Sequence, residues 1–244
     1  KIHQQKMTRF VHDQFAKQYL KELLTPLGEI ETSRNTTSEV REIDVLFIPK
    51  TQPQAAHPLG LLAKLATTIT IFEPYRNPVK PTDIRSCISK LLDYHRELER
   101  QANRQDGHIT EAELPQLWIL TPTLSAQILS GFGANQDLEK YPEGVYLLSP
   151  LLKTGLVVIH QLPRTPETLW LRILGKGKVQ KQAVAELQEL PADNPWRLNA
   201  LELLYNLLTI LEARQDVARE DRELIMELSP LYLQRLENAT QQGI

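Results

Sequence analysis

The sequence predicts an α/β protein: a mixed sheet flanked by helices in the order helix, strand, strand, strand, helix, strand, with an all-helical C-terminal region. Three observations predict it. Phe15, Tyr19 and Leu23 recur at helical spacing near the start. Two runs rich in β-branched and aromatic residues, "REIDVLF" and "TTITIFE", follow and are bounded by Pro49 and Pro74. Beyond Pro163 the strand patterns stop, and only helical periods continue.

The first helix is expected from Thr8 to Leu24, where Ala16, Leu20 and Leu24 widen its apolar face and "TPLG" ends it with Pro26 and Gly28. "EIETSR" at 29–34 and "EVREIDVLFIP" at 39–49 read as two strands joined by the polar "NTTS", an antiparallel hairpin. "LGLLAKLATTITIFEP" turns into a third strand at about Thr67 to Glu73, and "NPVKP" breaks the chain after it. Thr82 and Asp83 then introduce a helix whose apolar face is Ile84, Ile88, Leu91, Leu92 and Leu98. "QLWILTP", "GVYLLSP" and "GLVVIHQLP" supply further short strands, with a short helix near Leu124 to Leu129. Four helices are expected after Pro163: Glu167–Leu174, Val179–Leu190, Leu198–Ala213 and Glu220–Leu236. The expected division is therefore a sheet domain over 8–163 and a helical subdomain over 164–244. The helix "LNALELLYNLLTIL" is apolar over so much of its circumference that it must be covered by the sheet domain or by a second copy in a homodimer.

The totals bound the function. Of 244 residues 41% are hydrophobic and 24% charged, and the formal net charge is −2, which excludes a wholly basic protein that coats nucleic acid. Any DNA site must be a local patch. Cys87 is the only cysteine, so no internal disulfide forms. No stretch approaches the roughly 18 apolar residues of a membrane span, and no secretory signal is visible, so a cytoplasmic protein without membrane contact is expected. "KIHQQK" precedes Met7 and is either an upstream extension or an added remnant.

Asp44 is the residue that asks for an explanation, because it sits in the middle of an apolar strand, where an unpaired acid is costly. Either it lies at a strand end beside water or Arg41, or it binds a metal at the sheet edge. Residues two apart on a strand share a face, so Val40, Glu42, Asp44, Leu46 and Ile48 are expected on one side and Ile43, Val45 and Phe47 on the other. Ile69, Ile71, Glu73 and Tyr75 likewise share a face. If the second and third strands pair, Asp44 and Glu73 meet at one edge. Two hard carboxylates there suit Mg²⁺ or Mn²⁺, and the Pro74 carbonyl can add a further oxygen.

This order of elements, with an Asp in the second strand and a Glu at the end of the third, resembles the PD-(D/E)XK nuclease superfamily. "HDQFAKQYLKELL" together with "REIDVLF" is similar to its recombination-promoting nuclease and transposase-like branch, and to a group of uncharacterised cyanobacterial proteins. The resemblance covers about residues 8–122 and implies a restriction-endonuclease-like sheet. It also implies hydrolysis of a DNA phosphodiester by metal-activated water, with Asp44 and Glu73 as ligands and Glu22 on the first helix as a supporting acid. In the family the residue two after the third-strand acid is a Lys or Gln that orients the water, whereas here it is Tyr75. Tyr, with an unperturbed pKa of about 10, donates a hydrogen bond but supplies no positive charge. Arg76 points to the opposite face of an extended strand, and Lys64, Lys80 and Lys90 are the other candidates for the missing cation.

"GKGKVQK" puts basic residues before a helix, as a phosphate site requires, but lacks the full P-loop spacing and reads as a solvated loop. His12, His57, His95, His108 and His160 show no metal-ligand spacing, and Cys87 falls among Ile84 and Ile88 as an apolar residue. Three functions compete: a Mg²⁺-dependent nuclease, a catalytically silent nuclease-like fold that binds DNA or protein, and a helix-mediated assembly protein. The carboxylate pair favours the first, Tyr75 and the acidic balance the second, and the helical end the third.

Overall fold

A computed structural model of the chain describes residues 2–35, 42–50, 57–213, 221–222, 224–226 and 228–230. The elements in order are α1 (Ile2–Leu24), β1 (Gly28–Asn35), β2 (Glu42–Pro49), α2 (Leu61–Leu65), β3 (Thr70–Pro74), α3 (Pro81–Arg104), β4 (Gln116–Thr121), α4 (Ala126–Gly131), β5 (Val145–Leu147), β6 (Thr154–Val158), α5 (Leu169–Arg172), α6 (Lys178–Glu189) and α7 (Arg197–Glu212). The described residues from 221 to 230 are also helical. The strands form one six-stranded mixed sheet in the order β1-β2-β3-β4-β6-β5. β1, β2 and β3 pair antiparallel, β3, β4 and β6 parallel, and β5 returns antiparallel on β6.

Each strand alternates between two apolar layers. Val45, Phe47, Phe72, Trp118, Leu120 and Val157 face α1, α2 and the C-terminal helices. Leu46, Ile71, Leu117, Ile119, Leu156 and Val158 face α3 and α4. Gly155 is required where β4 and β6 pair, because a Cβ there would stand 2.0 Å from the Trp118 ring. Trp118 in turn donates its indole N–H to the Leu65 carbonyl at the end of α2. α1 is fixed to the C-terminal half by Tyr19, whose hydroxyl donates to the Trp170 carbonyl at 2.9 Å. The apolar circumference of α7 is covered within the chain: Leu201, Leu204, Leu208 and Leu211 are buried in the same layer as Tyr19, Leu20 and Leu23, while Leu198 and Ile210 stay exposed.

Among the local outcomes that differ from the sequence pattern, three bear on the site or its frame. β3 begins at Thr70 rather than Thr67, because the Thr70 hydroxyl donates to the Leu65 and Thr68 carbonyls and holds residues 67–69 as a bend. α3 begins at Pro81, and Asp83 caps it from the third position by accepting the Lys80 N–H at 2.8 Å. The alternation of β2 breaks at Asp44. Ile43, expected beside Val45 and Phe47, packs in the α3 layer with Leu46. The pairing of β1 with β2 skips the Ser33 and Asp44 positions, and Ser33 takes a left-handed φ of 61°. The irregular step, with one residue skipped on each strand, thus falls at the acid itself. The loop expected between the first two strands and most of the helix expected to end at Leu236 lie outside the described residues.

Candidate functional site

The start of β2 and the end of β3 meet at one edge of the sheet. Their register runs Phe47 to Thr70, Leu46 to Ile71 and Val45 to Phe72, which sets Asp44 beside Glu73. The ladder stops there: the Asp44 N–H donates to the Glu73 Oε1 at 3.2 Å instead of to a backbone carbonyl. Glu73 is 1% exposed. Its Oε2 accepts the Lys90 ammonium from α3 at 2.7 Å, and the Cys87 thiol, one turn earlier on the same helix, lies 3.8 Å away. Asp44 is held from the opposite layer. Lys17 of α1 reaches its Oδ1 at 2.9 Å and also touches Glu42 at 2.9 Å and Asp13 at 3.4 Å.

Four carboxylates, Asp13, Glu42, Asp44 and Glu73, are thus gathered around two ammonium groups, Lys17 and Lys90. The excess is negative, and the ionisations register it. Burial and the charge of Asp44 push the Glu73 carboxyl up to about 7, against the opposing pull of Lys90. Burial alone would lower both ammonium groups, but Asp44 raises Lys17 and Glu73 raises Lys90, so both stay charged. An open cleft of about 350 Å³ lies over the group, lined by Phe10, Asp13, Asp44, Glu73, Pro74, Tyr75, Arg76 and Lys90.

Among the described residues no cluster of three or more His, Cys, Asp or Glu side chains could hold a metal ion. Asp44 and Glu73 are two such groups, with oxygen donors only. That set fits Mg²⁺ or Mn²⁺, which keep several waters and take one or two carboxylates, better than a caged Ca²⁺ or a Zn²⁺ site. Burial first, and the charge of Asp44 second, raise the Glu73 carboxyl, and an added cation would oppose the second of these.

The other residues singled out by the sequence separate. Tyr75 lines the cleft, but its hydroxyl lies 3.2 Å from the Cys87 sulfur, and burial followed by Cys87 and Glu73 raises its pKa. Its hydroxyl is engaged by the thiol and presents no charge. Glu22 accepts a hydrogen bond from Gln18 at 2.8 Å and does not line the cleft. At about 100° per residue, nine residues turn it about 180° from Asp13 on α1. Of the three lysines named as alternatives, Lys90 arrives. Lys64 instead lies 5.1 Å from the Tyr141 ring, and Lys80 caps α3. Arg41, the sequence neighbour proposed for Asp44, lies outside the described residues.

Asp13 and Lys17 were not identified as site residues, although both lie in the "HDQFAK" stretch. Their signal was a four-residue spacing on a helix whose intervening Phe15 and Ala16 are buried. Arg76, just past β3, donates to the Gly175 carbonyl at 2.7 Å, Gln180 at 2.9 Å and Asp221 at 2.8 Å. Asp221 also bonds His12 at 2.9 Å, which ties the C-terminal helix to α1 and to the cleft wall. His160 follows β6 in a 3₁₀ turn and accepts the Lys176 N–H at 3.2 Å, so the "GKGK" loop is fastened to the sheet. No helix among the described residues is long and apolar enough to cross a membrane. Comparison of the chain with protein-family models, with curated proteins and with solved structures gives no match.

Proposed function

We propose that the protein is a metal-dependent nuclease of the PD-(D/E)XK type, that its sheet is a restriction-endonuclease-like core, and that Lys90 supplies the cation that Tyr75 does not. The observation that carries this reading is the meeting of Asp44, Glu73 and Lys90: the Asp44 N–H and the Lys90 ammonium both bond the Glu73 carboxylate, at 3.2 and 2.7 Å. Asp44 and Glu73 would hold a divalent ion, which when bound would supply a water of lowered pKa and Lewis-acid polarisation of a phosphoryl oxygen.

The chain's own groups do the rest. Lys17 gathers Asp13, Glu42 and Asp44 and fixes the Asp44 carboxylate at the sheet edge. Lys90 presents a fixed positive charge at the cleft, where negative charge grows on the phosphoryl group as the attacking oxygen adds. Its own burial and ion pair keep it preorganised. Arg76, held by the Gly175 carbonyl, Gln180 and Asp221, also lines the cleft.

Hydrolysis of labelled DNA and RNA in Mg²⁺ and Mn²⁺ tests the reading. The parent should cleave at least one substrate. Asp44→Ala and Glu73→Ala should fall to background, and Lys90→Ala should lose about 10²–10³-fold, the usual cost of one charge-stabilising donor. Tyr75→Phe should leave activity within a few-fold. An inert parent over all four combinations rejects the enzyme.

A second reading is favoured by one observation: Lys17 and Lys90 already neutralise much of the carboxylate charge without any metal. In that reading the edge is a structural ion-pair cluster, and the protein is a silent nuclease-like fold that binds DNA or protein. An inert parent whose stability does not respond to Mn²⁺ would select it.

A further inference from the structure

Lys17, one of the two ammonium groups at the sheet edge, is surrounded by oxygens. Its side chain is 7% exposed, and its Nζ stands 2.9 Å from Glu42 Oε1, 2.9 Å from Asp44 Oδ1, 3.4 Å from Asp13 Oδ2 and 3.4 Å from the Ser33 hydroxyl. A lysine has three N–H donors and no acceptor, so these neighbours use the whole donor set. The arrangement is built from local spacing. Asp13 and Lys17 lie about one helical turn apart on α1, and Glu42 and Asp44 flank Ile43 at the start of β2. Burial would lower Lys17, but Asp44 and then Glu42 outweigh it, so the position stays cationic.

Two further observations bear on what this cation does. The first is how the oxygens are committed: Asp44 Oδ1 is on Lys17, while Glu73 has Oε2 on Lys90 and Oε1 on the Asp44 N–H. Two-ion sites hold their ions about 3.5–4 Å apart, close enough for one carboxylate to bridge them with an oxygen to each. Here one oxygen of Asp44 already carries a cation. The second is charge. Above about pH 7, where Glu73 is ionised, four carboxylates face two ammonium groups, and the Arg76 charge is met by Asp221. Two negative charges remain, which one divalent ion cancels and a second would overshoot.

We infer that Lys17 takes the place of a second divalent ion, so that the edge binds one ion per chain. The inference rests on the reading of Asp44 and Glu73 as a divalent-cation site and specifies its stoichiometry. Lys17 is then a positioning residue: it fixes Asp44 Oδ1 and repels a second cation from Asp13, Glu42 and Asp44. Without its ammonium the excess at the edge grows to three negative charges, and a second divalent ion is drawn to those three carboxylates.

Equilibrium dialysis of the full chain against Mn²⁺ at pH 8 counts the bound ions, and low-temperature EPR of the dialysed protein separates an isolated ion from a coupled pair. The parent should bind one Mn²⁺ with the hyperfine pattern of an isolated ion. Lys17→Arg keeps the charge and should also bind one. Lys17→Ala should bind two, with a spectrum broadened by coupling between neighbouring ions. Two ions in the parent or in Lys17→Arg, or fewer than two in a folded Lys17→Ala protein, overturn the inference and leave the divalent-cation site standing. A parent that binds none removes both. If circular dichroism shows that Lys17→Ala does not fold, the counts in the parent and in Lys17→Arg decide, one ion upholding the inference and two overturning it.

Discussion

Glu73 is the most strongly constrained residue of the site, and its ionisation yields a prediction with a definite sign. Its carboxyl rises from an ordinary value of 4.5 to about 7 on folding, chiefly through burial and then through Asp44. A group raised in this way contributes stability that is complete below the unfolded value and lost as pH climbs through the folded one. The metal-free protein should therefore lose thermal stability between about pH 4.5 and pH 7 on account of this group. Glu73→Gln should flatten that slope. Because protons and a cation compete for the same carboxylate, Mn²⁺ should raise Tm more at pH 8 than at pH 5.5, and the increment should vanish in Glu73→Gln. Scanning calorimetry of both proteins with EDTA and with Mn²⁺ measures it, and an equal Mn²⁺ increment at the two pH values would contradict it. Asp44 and Glu73 were legible in the sequence because acids within apolar strands stand out against their neighbours. Lys90 was only one lysine among several: which one reaches Glu73 depends on how α3 crosses the sheet, and helical spacing says nothing of that.

At the scale of elements, the link between the C-terminal helix and the cleft is made by a few polar residues. Asp221, 3% exposed, accepts from His12 of α1 and from Arg76 after β3. Burial would raise its carboxyl, but His12 and then Arg76 outweigh that and lower it, so its contribution to stability is present above the ordinary carboxylate range and is lost on acidification. Asp221→Asn should cost about 2–3 kcal/mol at pH 7, since it leaves a largely buried Arg76 short of its counter-charge, and should make the stability less dependent on pH below about 4. Urea unfolding at pH 7 and pH 4 reads both effects. A cost under about 0.5 kcal/mol, the level of an ordinary surface change, would show that the contact holds nothing. Helix and strand positions followed from hydrophobic period because each element is buried on a definable face. The break in β2 did not. It depends on Ser33, a residue of the neighbouring strand, adopting φ of 61° opposite Asp44, and no period within β2 records its partner's conformation.

Across the whole molecule, two apolar layers hold the sheet between α3 and α4 on one side and α1 with the C-terminal helices on the other. The helices beyond Pro163 share one buried layer with α1 and the sheet, which is how residues as far apart as His12 and Asp221 come to bond each other. The mixed sheet was readable from the order of patterns alone, whereas the strand order that puts β6 between β4 and β5 was not, since pairing across the sheet leaves no local trace. The central claim is that the edge formed by β2 and β3 is a divalent-cation site. The most direct test is a titration of the full chain with Mn²⁺ at pH 8, following the loss of the free-ion EPR signal. The account predicts saturable binding in the parent that is absent from Asp44→Asn and Glu73→Gln and is retained in Glu22→Gln. A parent that binds no Mn²⁺, or a Glu73→Gln protein that binds it as well as the parent, would contradict it.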